Sequence, residues 1–256
     1  MGFQMAIGDL GAVYSNPNTF KPGQEVELND RLYQFKQYND GDANLAGVRG
    51  QVCYAVTAED ANVGTAHEVT CDLGSTTVVS QDDFAGVIMP NVVLNGEFCW
   101  VQTAGMGLTR GEFPVYLWAS AAINKSGDSM NRWLIPGATD GTVASLTDGV
   151  EETVCAALLA DVIVVAGLAT ERFLATIPTT RSGLFVVGET VTANAKTGVV
   201  VEVLSRGSVN YGIIVSTMSA AWVAAETALG GTSGATATFG VVGTGVFPQN
   251  YRILRN

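Results

Sequence analysis

The chain has 256 residues, enough for one large all-β domain or two smaller ones with a substantial buried core. A hydrophobic share of 47% against 14% charged residues excludes a disordered solvating chain, and 30 glycines without a triplet period exclude collagen. With 13 Lys+Arg against 24 Asp+Glu, the net charge of −11 argues against direct binding to nucleic acid or to an anionic membrane, both of which need basic patches.

In chain order, residues 1–20 are turn-rich and without period, and read as an extended arm. They lack a basic stretch followed by a long apolar one, so the expectation is synthesis in the cytoplasm without a secretory signal. Lys21-Pro22-Gly23 opens a strand over Glu25–Leu28, Asn29-Asp30 turns it, and Arg31–Phe35 resumes with period 2. Further strands are predicted at Gly50–Val56, His67–Cys71, Val92–Leu94, Phe98–Gln102, Val115–Leu117 and Trp133–Ile135. Between Phe84 and Leu108 an apolar run ends at Asn95-Gly96. Both residues tolerate positive φ, which predicts a tight hairpin leading into the aromatic strand through Trp100. Thr153–Ile163 fits helix or strand, and its valines with nearby Gly167 tilt the reading to strand. The apolar run Val154–Leu168 contains Asp161 and is too short to span a bilayer. Arg172–Ile177 reads as the closing strand of a first domain, ended by Pro178.

Beyond Arg181 charges become sparse and the chain repeats itself. Residues 184–203 overlay 221–240, with Phe185 on Trp222, Glu189 on Glu226 and Thr190 on Thr227, each 37 apart. Gly198 and Gly234 match after a one-residue gap. Two copies are too few for a solenoid, so a compact two-unit β module is expected, each copy an aromatic start, a turn and an alternating strand. The fold class is therefore all-β: an N-terminal barrel- or sandwich-like domain, then a small module with a two-fold internal repeat. The domain division is 1–20, 21–180 and 181–256, with the last module facing outward.

No constellation for chemistry appears, and the sequence predicts no catalytic, cofactor-binding or metal residues. The cysteines Cys53, Cys71, Cys99 and Cys155 have no metal spacing and read as small buried hydrophobes. His67 is the only histidine, and with Cys71 it makes two ligands where structural zinc needs four. The pairs Glu59-Asp60, Asp82-Asp83 and Glu151-Glu152 read as solvated loops, and Asn39–Asn44 as a turn without calcium-loop spacing. Gly240–Gly245 has no lysine to cradle a phosphate. Glu189 and Glu226 read as solvated or bound to nearby backbone amides. Trp100, Trp118, Trp133 and Trp222 read as core or interface anchors.

Glu25–Phe35, Val87–Gly105 and the strand near Ala156-Ala157-Leu158 resemble the capsid decoration, or cement, proteins of tailed bacteriophages. In that family an early nd-x-x-Y strand is followed by a G-x-x-x-W-V-Q-x-x-G hairpin. Tyr33, Gly96, Trp100, Val101, Gln102 and Gly105 fill those positions over about the first 180 residues. The module at GETVT (188–192) and GTSGATATF (231–239) is similar to small β modules of phage structural proteins. The resemblance implies a non-enzymatic virion protein on the outer surface of the head, bridging major capsid subunits as a homotrimer, with 21–180 as the capsid-binding domain and 181–256 facing outward. It implies no nucleic-acid or membrane partner and no cofactor. Residues 1–20 are the expected capsid-gripping element. The alternatives are a tail- or fibre-associated adhesin binding host glycans through the last module, and a hydrolase working through Glu189 and Glu226.

Overall fold

The computed structural model describes residues 7–42, 44–56, 67–72, 84–106, 117, 133–136, 140–145, 158–159, 172–175, 178–220, 222–223, 225–239, 242–243 and 252–253. Among these the chain is all-β, relieved by one 3-10 turn at Ile7–Gly11. It forms two compact units. One comprises Met1–Leu117, Lys125–Val162 and Pro248–Asn256, the other Trp118–Asn124 and Ile163–Phe247.

The first unit carries β1 (Val13–Tyr14), β2 (Glu25–Leu28), β3 (Arg31–Asn39), β4 (Gly47–Val48), β5 (Val52–Ala55), β6 (Glu68–Thr70), β7 (Phe84–Ile88), β8 (Val92–Val93), β9 (Phe98–Met106), β10 (Trp133–Pro136), β11 (Val143–Ser145) and β12 (Leu158–Leu159). The second carries β13 (Arg172–Ala175), β14 (Pro178–Ser182), β15 (Thr190–Ala193), β16 (Lys196–Arg206), β17 (Val209–Ser216), β18 (Thr227–Gly230), β19 (Thr236–Phe239) and β20 (Val242–Gly243). β21 (Arg252–Ile253) returns to the first unit, between β9 and β12.

In the first unit β9 pairs with both β7 and β3, so the ring β3-β6-β5-β7-β9 closes into a small barrel. Closure pairs each of these five strands on both sides, and the sheet ends instead at β2 and β11. Tyr38, Cys53, Val69, Cys71, Ile88, Val93, Cys99 and Val101 pack into one buried cluster. The opposite face of the β3–β9 pair is buried too. Phe35 stands in register with Trp100, and Tyr14 and Phe20 cover them at ring-centroid distances of 5.0–5.4 Å. Alternation therefore sorts the pair into an aromatic layer and a thiol-containing layer, both dry.

That packing corrects the reading of residues 1–20 as an extended arm. From Ile7 onward the segment is folded onto the first unit: Leu10 and Phe20 are buried, and β1 pairs with β9 at Val13↔Cys99 and Tyr14↔Phe98. The buried aromatic area outweighs the freedom a loose arm would keep.

Three further expectations change. Asn95-Gly96 does not close a tight hairpin: β8 pairs with β4, while β9 pairs with β7 and β3. Only Gly96 takes positive φ, at 76°, which is a type II requirement rather than a type I′ one. The strand at 172–175 belongs to the second unit, where it pairs with β17. Residues 248–256 belong to the first unit, so the division at 181–256 gives way to an inserted second unit. Within Thr153–Ile163 a strand forms at Leu158–Leu159. The predicted strand Val115–Leu117 lies outside the described residues except Leu117.

In the second unit the strand order is β14-β19-β18-β15-β16-β17-β13-β20. The sheet curls until its first strand meets β17: Arg181 Nη1 donates to the Asn210 carbonyl at 2.9 Å, and Asn210 Nδ2 to the Gly183 carbonyl at 2.7 Å. Phe185, Val191, Val200, Ile213, Val215, Trp222 and Phe239 form the core. The repeat is a local two-fold. Thr192 and Leu229, equivalent positions 37 apart, pair directly across β15 and β18, so the axis runs between them.

Candidate functional site

One supersecondary device recurs five times among the described residues, at Lys21–Gln24, Val48–Gln51, Leu94–Glu97, Val186–Glu189 and Val223–Glu226. In each, the N–H of the fourth residue donates to the carbonyl of the first, at 2.9, 3.0, 3.1, 3.1 and 3.4 Å. The fourth side chain then reaches back, and its oxygen accepts the N–H of the first residue at 2.7–3.2 Å. The third residue holds positive φ: Gly23 83°, Gly50 86°, Gly96 76°, Gly188 89° and Ala225 69°. Its N–H donates to one residue of a neighbouring strand, and the N–H of that residue returns to the carbonyl of the fourth. The strand partners are Phe35, Ile88, Tyr38, Val200 and Phe239. The first, third and fourth N–H groups and the first and fourth carbonyls of each turn are thereby satisfied. The signal in sequence is Gly followed by Gln or Glu, with Ala replacing Gly once; 109–112 also fits it but lies outside the described residues.

In the second unit the same side chains do more. Glu189 is 4% exposed and accepts Val186 N and Ser233 Oγ on one oxygen, Thr232 N and Ser233 N on the other, all at 2.7–3.0 Å. Glu226 is 6% exposed and accepts Val223 N on one oxygen at 2.9 Å. Its other oxygen takes Asn194 Nδ2 at 3.1 Å and Lys196 Nζ at 2.7 Å. Each repeat thus places its carboxylate in the hairpin turn of the other. Burial pushes both carboxyls up, but these donors outweigh it and hold them below the ordinary glutamate range. Of the two readings of this pair, the backbone-amide one holds and the solvated one does not. Four donors thus fill the acceptor sites of Glu189, and three engage Glu226.

The remaining candidates are also engaged by the fold. Cys53, Cys71 and Cys99 are free and buried. Burial raises the thiol pKa of all three, Cys71 to about 12, which leaves none as thiolate at neutral pH. The His67 ring lies against Gly23, where a Cβ would sit 2.3 Å from its Cε1. Asn39–Asn44 is a turn, with Gly41 N on Asn39 Oδ1 and Leu45 N on the Asp40 carbonyl. Among the described residues no three His, Cys, Asp or Glu gather as a metal site. Trp100 and Trp222 are core residues at 0% and 1% exposure. Cys155, Trp118, the Trp133 side chain and the acidic pairs at 59–60, 82–83 and 151–152 lie outside the described residues.

What the second unit does offer is apolar surface. The large exposed hydrophobics of the described residues are Leu184, Val186, Val187, Val201, Val223 and Leu229, all in this unit. Val186 and Val187 stand 50% and 61% exposed on one latch turn, and Val223 56% on the other. The exposed positions of β15, β16 and β18 add Thr190, Thr192, Thr197 and Thr227, all uncharged.

No protein-family model matches the chain, and neither the curated proteins nor the solved structures contain a match.

Proposed function

We propose that this chain is a structural virion protein that binds the outside of a tailed-phage head and stabilises it by bridging neighbouring major capsid subunits. The observation that carries the reading is the register of β3 on β9. It sets Tyr33 opposite Gln102 and Phe35 opposite Trp100, so the residues of the family resemblance form one contiguous framework. Gly96 enters that framework through its latch turn. Gly105 lies so close to β3 that a Cβ would be 2.6 Å from the Asp30 carbonyl oxygen.

The chemistry of the chain fits a mechanical role. Glu189, Glu226 and the thiols of Cys53, Cys71 and Cys99 are committed to the fold, while the second unit exposes valines and threonines suited to association. Packaged DNA presses a head outward, and a bridging protein adds interface that expansion must break. A stable contact of this kind buries about 1,200–2,000 Å². The symmetric shell repeats it many times, and self-association as a trimer multiplies it further. A net charge of −11 suits the side of the shell away from DNA.

The test is sedimentation of purified heads with and without the full chain. Saturable co-sedimentation, with DNA release moved to higher temperature, is expected. Heads that carry none of the chain in electron micrographs, and take up none when it is added, would overturn the proposal. Where the exposed valines of the second unit make the contact, Val187→Asp is expected to lower occupancy at least tenfold without loss of folding, because a charge in an apolar contact must be desolvated; where the barrel makes it, occupancy is expected to stay unchanged.

A further inference from the structure

The five latch turns differ between the units in one chemical respect. In the first unit Gln24 and Gln51 close two of three, and neither carries a titratable proton; Glu97 closes the third. In the second unit carboxylates close both, and both also tie the two halves of the repeat together. We infer that the second unit opens in acid ahead of the first, with Glu189 and Glu226 as proton-sensitive latches between its halves.

The geometry at Glu189 favours the charged form. Four donors from two turns converge on its oxygens, and all are uncharged: three backbone amides and the Ser233 hydroxyl. The amides can only donate, so a protonated carboxyl would find one acceptor, Ser233 Oγ, which would have to turn its own hydrogen away while still accepting Ala235 N. The pocket is closely fitted, since a Cβ on Gly230 would lie 2.8 Å from both Glu189 oxygens. Glu226 faces one charged group, Lys196 on the β15–β16 hairpin, together with Asn194 and its own Val223 amide. Protonation there discards the ion pair and weakens every bond that charge had assisted.

The sign follows from the direction in which the donors hold both carboxyls. Their stabilising contribution is complete above the ordinary glutamate pKa of about 4.3 and is lost as pH falls through the lower value of the folded state. Within that window each latch lowers the closed-to-open ratio by up to about tenfold per pH unit, and the pair by about a hundredfold. The Gln-closed turns of the first unit contribute nothing to such a slope.

The experiment is an NMR titration of the full chain from neutral pH downward, following the Glu189 and Glu226 carboxyl carbons and backbone amides in both units. Amides of Val191, Ile213 and Val215 are expected to leave their folded positions at higher pH than those of Tyr38, Val69 and Val101. Simultaneous loss, or earlier loss of the first unit, would overturn the inference. Glu226→Gln is expected to reduce the steepness of opening to about tenfold per pH unit, the share of the remaining latch. Should that variant not fold, Lys196→Met keeps the carboxylate, removes its cation, and is expected to move opening to higher pH. Unchanged opening in whichever variant folds would equally overturn the inference.

Discussion

Gly86 and Gly96 both hold positive φ, at 144° and 76°, yet the fold asks different things of them. A Cβ on Gly86 would lie 2.3 Å from the Gln102 carbonyl oxygen, in the close approach of β7 to β9. At Gly96 it would meet nothing within 4 Å. Gly96→Ala is therefore expected to lose only the left-handed preference, about 1–2 kcal/mol, whereas Gly86→Ala adds a backbone collision and should lose more than about 3 kcal/mol. Urea denaturation of the two variants measures the difference, and equal losses would contradict this account. The Asn95-Gly96 pair shows where local reading stops. Both residues tolerate positive φ, but the choice of one over both is made by the Glu97 carboxylate on Leu94 N and by pairing with Tyr38 on a distant strand. Lys36 hides in the same way. It looks like the polar end of the strand begun at Arg31, yet it is buried, and burial lowers its amine pKa. Lys36→Met is expected to raise stability at neutral pH by about 1 kcal/mol, because an ammonium no longer has to be desolvated; a loss in the same urea assay would count against it.

At the scale of elements, the strands were legible where apolar residues alternate and were cut short where polar residues are buried. β3 runs on to Asn39 because Lys36 and Tyr38 face the thiol-containing layer while Tyr33 and Phe35 face the other side. A strand buried on both faces loses its period-2 signature. β9 runs on to Met106 because Gln102, Ala104 and Gly105 keep pairing with β3, β7 and β21. The repeat was legible from Phe185/Trp222 and Glu189/Glu226. The exchange of carboxylates between its halves was not, because it depends on β15 and β18 pairing about the local axis. Trp222 packs on Phe239 with ring centroids 6.4 Å apart, at the centre of a core in which Ala193, Ala228, Ala235 and Ala237 leave little else of its size. Trp222→Ala should therefore destabilise the second unit by about 3–5 kcal/mol. The amides of Val69 and Val101 in the first unit should keep their NMR positions, since they belong to a separate core.

The whole molecule is one β unit interrupted by another. The chain's long excursion from the first unit, 163–247, lies between β12 and β21, and these two strands pair directly, Leu158↔Ile253 and Leu159↔Arg252. Leu159 and Arg252, which flank that excursion, are thus a single strand spacing apart, about 5 Å, an arrangement under which a domain can be added to or removed from a host fold. Residues 163–247 hold equal numbers of acidic and basic side chains, so the net charge of −11 belongs entirely to the rest of the chain. An acidic closed barrel and a neutral module with exposed valines are suited to different neighbours. Replacing 163–247 by a short Asn-Gly turn is expected to leave the first unit folded, with the amides of Tyr38, Val69 and Val101 at their original positions. Loss of those positions would mean that the barrel depends on its insertion. If the shortened chain folds, its behaviour on heads separates the two surfaces. Failure to co-sediment would assign the capsid contact to the exposed valines of the module. Retention at full occupancy would assign it to the barrel, and would leave the neutral face of the module turned outward.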